Sequence, residues 1–450
     1  IFADPEEDEP NAAIFSKDDL TIYGNSSLTV NGNFNDGLAS KDGLIITSGT
    51  ITVSSVDDGI RGKDYLVVKD GNITLNVQGD GLKSDNDQDD TKGYISIETG
   101  IINITSGGDA IQAQTDVLIA DGEFILSSGG GSNSRIDAST SAKGIKAGVN
   151  LNIDGGTMAI NSADDAIHSN GSLVINGGTF VIATGDDALH ADATLEINGG
   201  EMSITDSFEG LESAVITING GDIHITSSDD GLNVVADDAG FGMVQGPGPG
   251  GRPGRGGMPG PGGMPGQDAF TYSGDNYLYI NGGYMVIEAA GDGIDVNGAI
   301  EMTDGVVIVN GPTERMNSAL DYMASFKMTG GFLVAAGSVG MAQAPDASST
   351  QYSVLLNFNS TLRAGTLIHV QTGEGHEILT FSPTKPYQSI ALSSPELVNG
   401  ETYDVYYGGS STGTANDGLY QDGTYTSGTK YTSFTISDMV TRLGDNFIRR

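Results

Sequence analysis

Ser172–Leu189 reads SLVINGGTFVIATGDDAL, and its spacing decides the fold. Leu173 and Ile175 alternate with polar neighbours, Asn176-Gly177-Gly178 turns the chain, and Phe180 and Ile182 alternate again. Asp186-Asp187 makes a second turn, and Leu189 opens a third short inward face. Period-two alternation over runs this short, punctuated by glycine and aspartate, predicts three strands and their turns within one coil of backbone.

The same grammar extends in both directions. An Asp-Asp-Gly-Ile-like signal recurs with its small residue at positions 37, 59, 81, 110, 144, 166, 188, 210, 231, 293 and 319, and the uninterrupted steps are 22 or 21 residues. A fixed period of this size means a solenoid in which each repeat buries its apolar face against the next. The fold class is therefore all-β: a parallel β-helix of about 22 residues per coil, followed by a small C-terminal antiparallel β domain. A Gly-Gly pair recurs from Gly155, Gly177, Gly199, Gly220, Gly282 and Gly330, and a positive φ is expected at those first glycines, where the corner is sharpest.

The organisation follows from where the period starts, breaks and stops. Residues 1–13 read as an extended acidic arm, 14–343 as the β-helix and 344–450 as the C-terminal β cap. Two short inserts, Asp85–Asp90 (DNDQDD) and Gly129–Thr140, lengthen single coils. A long insert at about 236–276 contains Gly246–Gly266, with glycine at every third residue, the pattern of polyproline-II or collagen-like packing.

Composition narrows the partners. Glycine is 68 of 450 residues, about twice the usual share, and with 18% charged residues the chain is turn-rich β rather than disordered. A formal charge of −39, from 59 acidic and 20 basic residues, argues against nucleic acid, whose phosphates need clustered Lys and Arg. Metal cations or polar ligands fit better. Without cysteine there are no disulfides or thiolate metal sites, and no apolar run is long enough to span a membrane as a helix. The start at Ile1 followed by an acidic stretch reads as a mature exported chain, so a secreted protein of the cell surface or matrix is expected.

The second position of the signal carries Asp36, Asp58, Asp80, Asp109, Lys143, Asp165, Asp187, Glu209, Asp230, Asp292 and Ser318. On coils about 5 Å apart these form a ladder whose neighbouring charges repel by about 1 kcal/mol in water, and more where water is excluded. Cations, protons or turn amides have to compensate. Oxygen-only ligands favour calcium. The candidate calcium ligands are Asp57, Asp58, Asp80, Asp109, Asp164, Asp165, Asp186, Asp187, Asp229, Asp230 and Asp292. Asp85, Asp87 and Asp89 join them as the start of an EF-hand-like loop that lacks its glycine and final glutamate. The competing expectation is that each aspartate simply accepts its own turn's amides.

Two residues past the small marker lies a second stripe: Arg61, Lys83, Gln112, Lys146, His168, His190, Glu212, Asn233, Asp295 and Asp321. Arg61, Lys83, Lys143, Lys146, His168 and His190 are the candidate ligand-binding residues, because cations beside a calcium-loaded carboxylate row suit a polymer of acidic sugars. The plainer alternative is that they neutralise the aspartates. His168 and His190, one coil apart, are also a candidate metal pair. No catalytic residue is assigned. Tyr272, Tyr277, Tyr279 and Tyr284 offer either sugar stacking or packing.

The stretches SVDDGIRGKDYLVVKDG (55–71), GDGLKSDNDQD (79–89), SAKGIKAG (141–148), DDAIHSNGSLVINGGTF (164–180) and SFEGLESAVITINGGDIHITSSDDGLN (207–233) resemble the secreted clostridial carbohydrate-binding domain family. The resemblance runs from about Ala13 to Asn233 and resumes at 352–370 and 387–409. It implies a right-handed, pectate-lyase-like β-helix that binds calcium and cellulose or acidic sugars without demonstrated cleavage. Two alternatives stay open. One is a calcium-dependent polysaccharide lyase with Lys143 or Lys146 as base and Asp109 and Asp165 holding the ion. The other is a head-to-tail extracellular filament, joining the acidic arm Glu6–Glu9 to Arg442, Arg449 and Arg450 with help from Gly246–Gly266.

Overall fold

The computed structural model describes residues 10–137, 139–236 and 274–444. Among them there is no helix, and hence none long and apolar enough to cross a membrane. Strands repeat about every 22 residues as coils of a β-solenoid, and antiparallel sheets follow in the C-terminal region. The chain divides into two compact units: Ile1–Ala214 with Ala236–Ser273, and Val215–Val235 with Gly274–Arg450.

In the N-terminal unit each full coil has three strands, as in Ile167–Ser169, Ser172–Ile175 and Thr179–Thr184. Their inward residues lie directly above those of the neighbouring coils in parallel register. Ile60, Leu82, Ile111, Ile145, Ile167 and Leu189 form one such column. Ile73, Ile102, Phe124, Met158, Phe180 and Met202 form another. All are buried, so the core is a set of continuous apolar stacks rather than a cluster. The steps from Leu82 to Ile111 and from Ile111 to Ile145 contain the two short inserts, which bulge outward while the inward stacks stay in register.

The small marker has a packing cause. A Cβ on Gly59 would lie 2.5 Å from the Gly81 carbonyl oxygen of the next coil, so this coil needs glycine, whereas other coils bury an alanine at the marker, as at Ala110, Ala166 and Ala188. The positive-φ corner differs from expectation by one residue. It falls on the second glycine of each pair: Gly156 (φ 100°), Gly178 (111°), Gly200 (103°), Gly221 (104°), Gly283 (87°) and Gly331 (79°). Coils without a pair keep that glycine alone, as at Gly49, Gly71, Gly100 and Gly122. The first position therefore tolerates aspartate, and Asp70 and Asp121 use it to accept the following glycine's amide at 2.7 and 2.8 Å.

In the C-terminal unit the solenoid ends at Phe332–Gly337, which pairs antiparallel with Tyr387–Ser393. That strand pairs in turn with Ser353–Leu362. A separate antiparallel sheet contains Ile368–Thr372, Glu377–Phe381, Thr402–Tyr407 and Thr429–Thr435. The outward column His224, Val286, Ile308, Val334 becomes apolar after its first residue. Val286, Ile308 and Val334 are buried in one cluster with Phe358, Ile368 and Phe381 of the antiparallel region. The C-terminal strands thus cover one flank of these coils and pair with their last edge, which satisfies an edge that would otherwise stay open.

Candidate functional site

Most ladder carboxylates are bound to the next coil, not to their own; Asp36 instead accepts from Asn11 Nδ2 at 3.1 Å. Asp58 Oδ1 accepts the Asp80 amide at 2.9 Å, Asp80 Oδ1 the Asp109 amide at 2.8 Å, and Asp109 Oδ1 the Lys143 amide at 2.7 Å. Asp165 Oδ1 accepts the Asp187 amide and Asp187 Oδ1 the Glu209 amide, both at 3.2 Å. In the C-terminal unit Asp230 caps Asp292 at 2.5 Å, and Asp292 caps Ser318. The expected own-turn bond occurs where Lys143 interrupts the ladder: the Asp165 amide then donates to Asp164 Oδ1 at 3.0 Å.

In the N-terminal unit the second oxygen of most rungs meets a base. Strand register places Arg61, Lys83, Gln112, Lys146, His168 and His190 in one column. Lys83 Nζ lies 3.1 Å from Asp58 Oδ2 and 2.7 Å from Asp80 Oδ2. Arg61 approaches Asp36 at 3.6 Å and Asp85 at 3.4 Å, and Lys146 approaches Asp109 at 3.9 Å. Lys143 bridges Asp164 Oδ1 at 2.9 Å and Asp165 Oδ2 at 2.6 Å. His168 Nδ1 lies 2.9 Å from Asp165 Oδ2, and His190 Nδ1 3.3 Å from Asp187 Oδ2. All these bases are half-buried, with stems along the solenoid and heads on the ladder.

The protonation equilibria follow from burial set against these partners. Burial would raise the Asp165 carboxyl, but Lys143 and His168 hold it below the ordinary range. Burial would lower Lys143, yet Asp165 and Asp164 push it upward. Lys83 is raised in the same way by Asp58 and Asp80. Asp36 is pushed up to about 7 by burial and by Asp58, with Arg61 opposing, and Asp186 to about 7 by burial and by Asp187.

Among its described residues the C-terminal unit keeps the ladder, and the stripe beside it carries no base. Its second stripe is Asn233, Asp295, Asp321, in register. Burial and mutual repulsion push Asp230 up to about 9 and Asp292 and Asp295 to about 7. These three carboxylates gather so that one oxygen of each lies within 4.8 Å of the others. Among the described residues, Asp36/Asp57/Asp58 and Asp164/Asp165/Asp186 converge likewise, as do Asp165/His168/His190 and Asp187/His190/Glu212. Asp36 Oδ1 is buried without a hydrogen-bond partner. Three oxygen-only donor sets, one with an orphaned buried oxygen and one without a neighbouring base, fit the donor chemistry of a hard divalent cation.

Some candidates are not brought together. Asp80 and Asp109 are occupied by amides and lysines, and Asp229 lies beside the Asp230 cluster as one of the charges that raise it. The Asp85–Asp90 loop is organised by Asn86, which accepts the Gln88 and Asp89 amides and donates to Asp64 at 2.6 Å. Asp85 turns to Arg61, Asp87 to Gln88 and Asp89 to Thr91, so the three do not share a cluster. Glu212 and Asp295, read from sequence only as stripe positions, do join clusters. The signal for them was the column two residues past the marker, where acid replaces base.

Tyr277 and Tyr279 stack on each other at 5.7 Å. Tyr284 donates to Asp417 at 2.9 Å and lines an open cleft of about 590 Å³ with Phe332, Leu419 and Tyr420. Tyr272, the arm Glu6–Glu9, Arg449, Arg450 and Gly246–Gly266 lie outside the described residues.

Residues 2–188 match the model of a family described as "Carbohydrate-binding domain-containing protein". A relative bearing the same description, from Acetivibrio thermocellus, is 54% identical over 129 residues. That alignment covers 29% of this chain and 45% of the relative, so the chain spans less than half of that protein's length. No solved structure matches. The chain is thus similar, over its first coils, to carbohydrate-binding domain proteins.

Proposed function

We propose that this chain is a non-catalytic binding module for polysaccharide, acting outside the cell, with calcium on the carboxylate clusters and acidic sugars as the preferred ligand. The observation that carries this reading is a coincidence in position. The family match ends at residue 188, and Arg61, Lys83, Lys146 and His168 form their column of bases beside the ladder within that span. A sugar carboxylate laid along this column exchanges with ladder carboxylates for the same Arg and Lys heads, and calcium compensates the ladder oxygens released. Cellulose, which carries no charge, lacks that exchange and falls to the aromatic residues.

The lyase alternative needs a neutral lysine to take the proton beside the uronate carboxylate. Lys143 is held protonated by Asp164 and Asp165, which disfavours it as that base. Of the filament alternative's residues only Arg442 is described, in the strand Val440–Leu443 paired with Ser353–Leu362; the others lie outside the described residues.

Affinity electrophoresis of the full chain through gels containing polygalacturonate or hydroxyethylcellulose, with calcium or with chelator, tests the proposal. Retardation by polygalacturonate in calcium, reduced by chelator and by Lys83→Ala, is the expected result. Equal mobility with and without either polymer overturns it, and release of unsaturated product restores the lyase.

A further inference from the structure

We infer that His168 and His190, with Asp165, Asp187 and Glu212, bind one divalent first-row transition metal of the zinc class, at a site separate in donor chemistry from the oxygen-only clusters. The solenoid places the two imidazoles on adjacent coils in direct register, with ring centroids 4.8 Å apart and planes tilted by 58°. Both Nδ1 atoms turn toward the ladder. His190 Nδ1 faces Asp187 Oδ2 at 3.3 Å, Glu212 Oε2 at 3.8 Å and Asp165 Oδ2 at 3.9 Å, and His168 Nδ1 faces Asp165 Oδ2 at 2.9 Å. His190 belongs to both three-residue groups, so a single ion at its Nδ1 reaches carboxylates from three successive coils.

The far nitrogen of His168 has its own partner, and that of His190 faces a carboxylate at a longer distance. His168 Nε2 meets Asn170 Oδ1 at 2.8 Å, and His190 Nε2 lies 3.6 Å from Asp192 Oδ1. At His168 the oxygen acceptor at Nε2 holds the proton there and leaves the Nδ1 lone pair for a cation, the arrangement that orients metal-bound histidines. With Nε2 donating to Asn170, the His168 Nδ1 lone pair faces the Asp165 carboxylate. At 2.9 Å from Asp165 Oδ2, that nitrogen stands where imidazole and carboxylate can share one metal ion.

Charge points the same way. Lys143 serves Asp164 and Asp165, one coil back. Glu212 is instead in contact with the Asp187 carboxylate and faces His190 Nδ1 at 3.8 Å. Two carboxylates in contact repel each other, and a cation held between them relieves that repulsion. Imidazole nitrogen selects zinc, nickel or copper over calcium and magnesium, which take oxygen.

The inference goes beyond polysaccharide binding, and its probe is the metal alone, so either reading can fail without the other. Calorimetry on the chelator-treated full chain, resaturated with calcium and titrated with zinc chloride, is expected to give one zinc per chain that calcium does not displace. Cobalt in place of zinc is expected to give visible absorption bands. His190→Asn and Glu212→Gln are each expected to weaken zinc binding by more than about 10-fold, since even outer-shell losses cost that much. His376→Asn, a surface ring paired with Glu396, should leave it unchanged. Zinc binding no tighter than magnesium, or binding unaffected in both His190→Asn and Glu212→Gln, overturns the inference. Should His190→Asn lose its β circular dichroism, the Glu212→Gln titration decides.

Discussion

The two units run the same ladder with opposite electrostatic solutions. Between Asp36 and Asp187 the column beside the rungs holds Arg61, Lys83, Lys146, His168 and His190, while Asp230 and Asp292 are accompanied by Asn233, Asp295 and Asp321. The backbone device, an aspartate capping the next coil's amide, is common to both. Fold and charge compensation are therefore separable: the 22-residue signal sets the first, and one residue beyond it sets the second. The N-terminal unit carries its counter-charge on its own Arg, Lys and His side chains, and in the C-terminal unit burial and mutual repulsion shift the carboxyls toward the protonated form.

Removing the covalent counter-charge should have the largest effect. Lys143→Met leaves the buried Asp165 carboxylate without its nearest base and is expected to cost about 3–5 kcal/mol in urea unfolding, the usual result of breaking a buried pair. Lys143→Arg should recover much of that. A Lys143→Met chain as stable as the parent would break the contrast.

Calcium should act on the other side. Saturating the Asp230/Asp292/Asp295 cluster at about a hundred times its dissociation constant should add about 2.7 kcal/mol. In Asp295→Asn that gain should shrink sharply, while the chelated protein becomes more stable because one buried like charge is gone. Amide hydrogen exchange on residues 285–296 reports both effects.

The pH dependence should also divide. Asp230 is pushed up to about 9 and Asp292 and Asp295 to about 7. The unfolded chain releases these protons near pH 4, at about the ordinary aspartate value. In chelator, protection of residues 285–296 should therefore fall as pH rises from about 4 through the folded values of about 7 to 9, and level off above them. Asp165, held below the ordinary range, contributes in the opposite sense. Its stabilisation is complete above the unfolded value and is lost as pH falls through the folded one.

The smallest effect concerns the corner that both units share. Gly178→Ala combines φ 111° with a Cβ 2.9 Å from the Gly156 carbonyl oxygen, and should cost about 1–2 kcal/mol. Gly177→Ala, whose Cβ meets nothing closer than 3.2 Å, should cost less. Equal melting temperatures would show that the corner strain is not confined to the second glycine.

The sequence made the solenoid legible because its inward stacks repeat side-chain type as well as spacing, from Ile60 to Leu189. The corner was read one residue early because both members of Gly177-Gly178 are glycine; Asp70-Gly71 and Asp121-Gly122, where they differ, carried the answer. The columns of acid and base were legible too, since register in a parallel solenoid is simple addition of the period. What each carboxylate does was not. Spacing gives the neighbour above or below, but not that Asp58 Oδ1 reaches the amide of Asp80, nor that Lys143 reaches forward to Asp164 and Asp165. Glu212 and Asp295 were missed as cluster members because a cluster here draws on two adjacent columns.

The inter-coil caps also have a direction. Asp58, Asp80, Asp109, Asp165 and Asp187 each offer the acceptor, and the donor always belongs to the coil that follows. A ribosome delivers the chain in that same order, so each finished coil presents a waiting oxygen to the amide next synthesised. Gain or loss of a whole repeat between Asp165 and Asp187 leaves every remaining acceptor facing a donor of the same kind. The molecule can therefore be lengthened or shortened by 22 residues, the interval of these caps, without redesigning the joint.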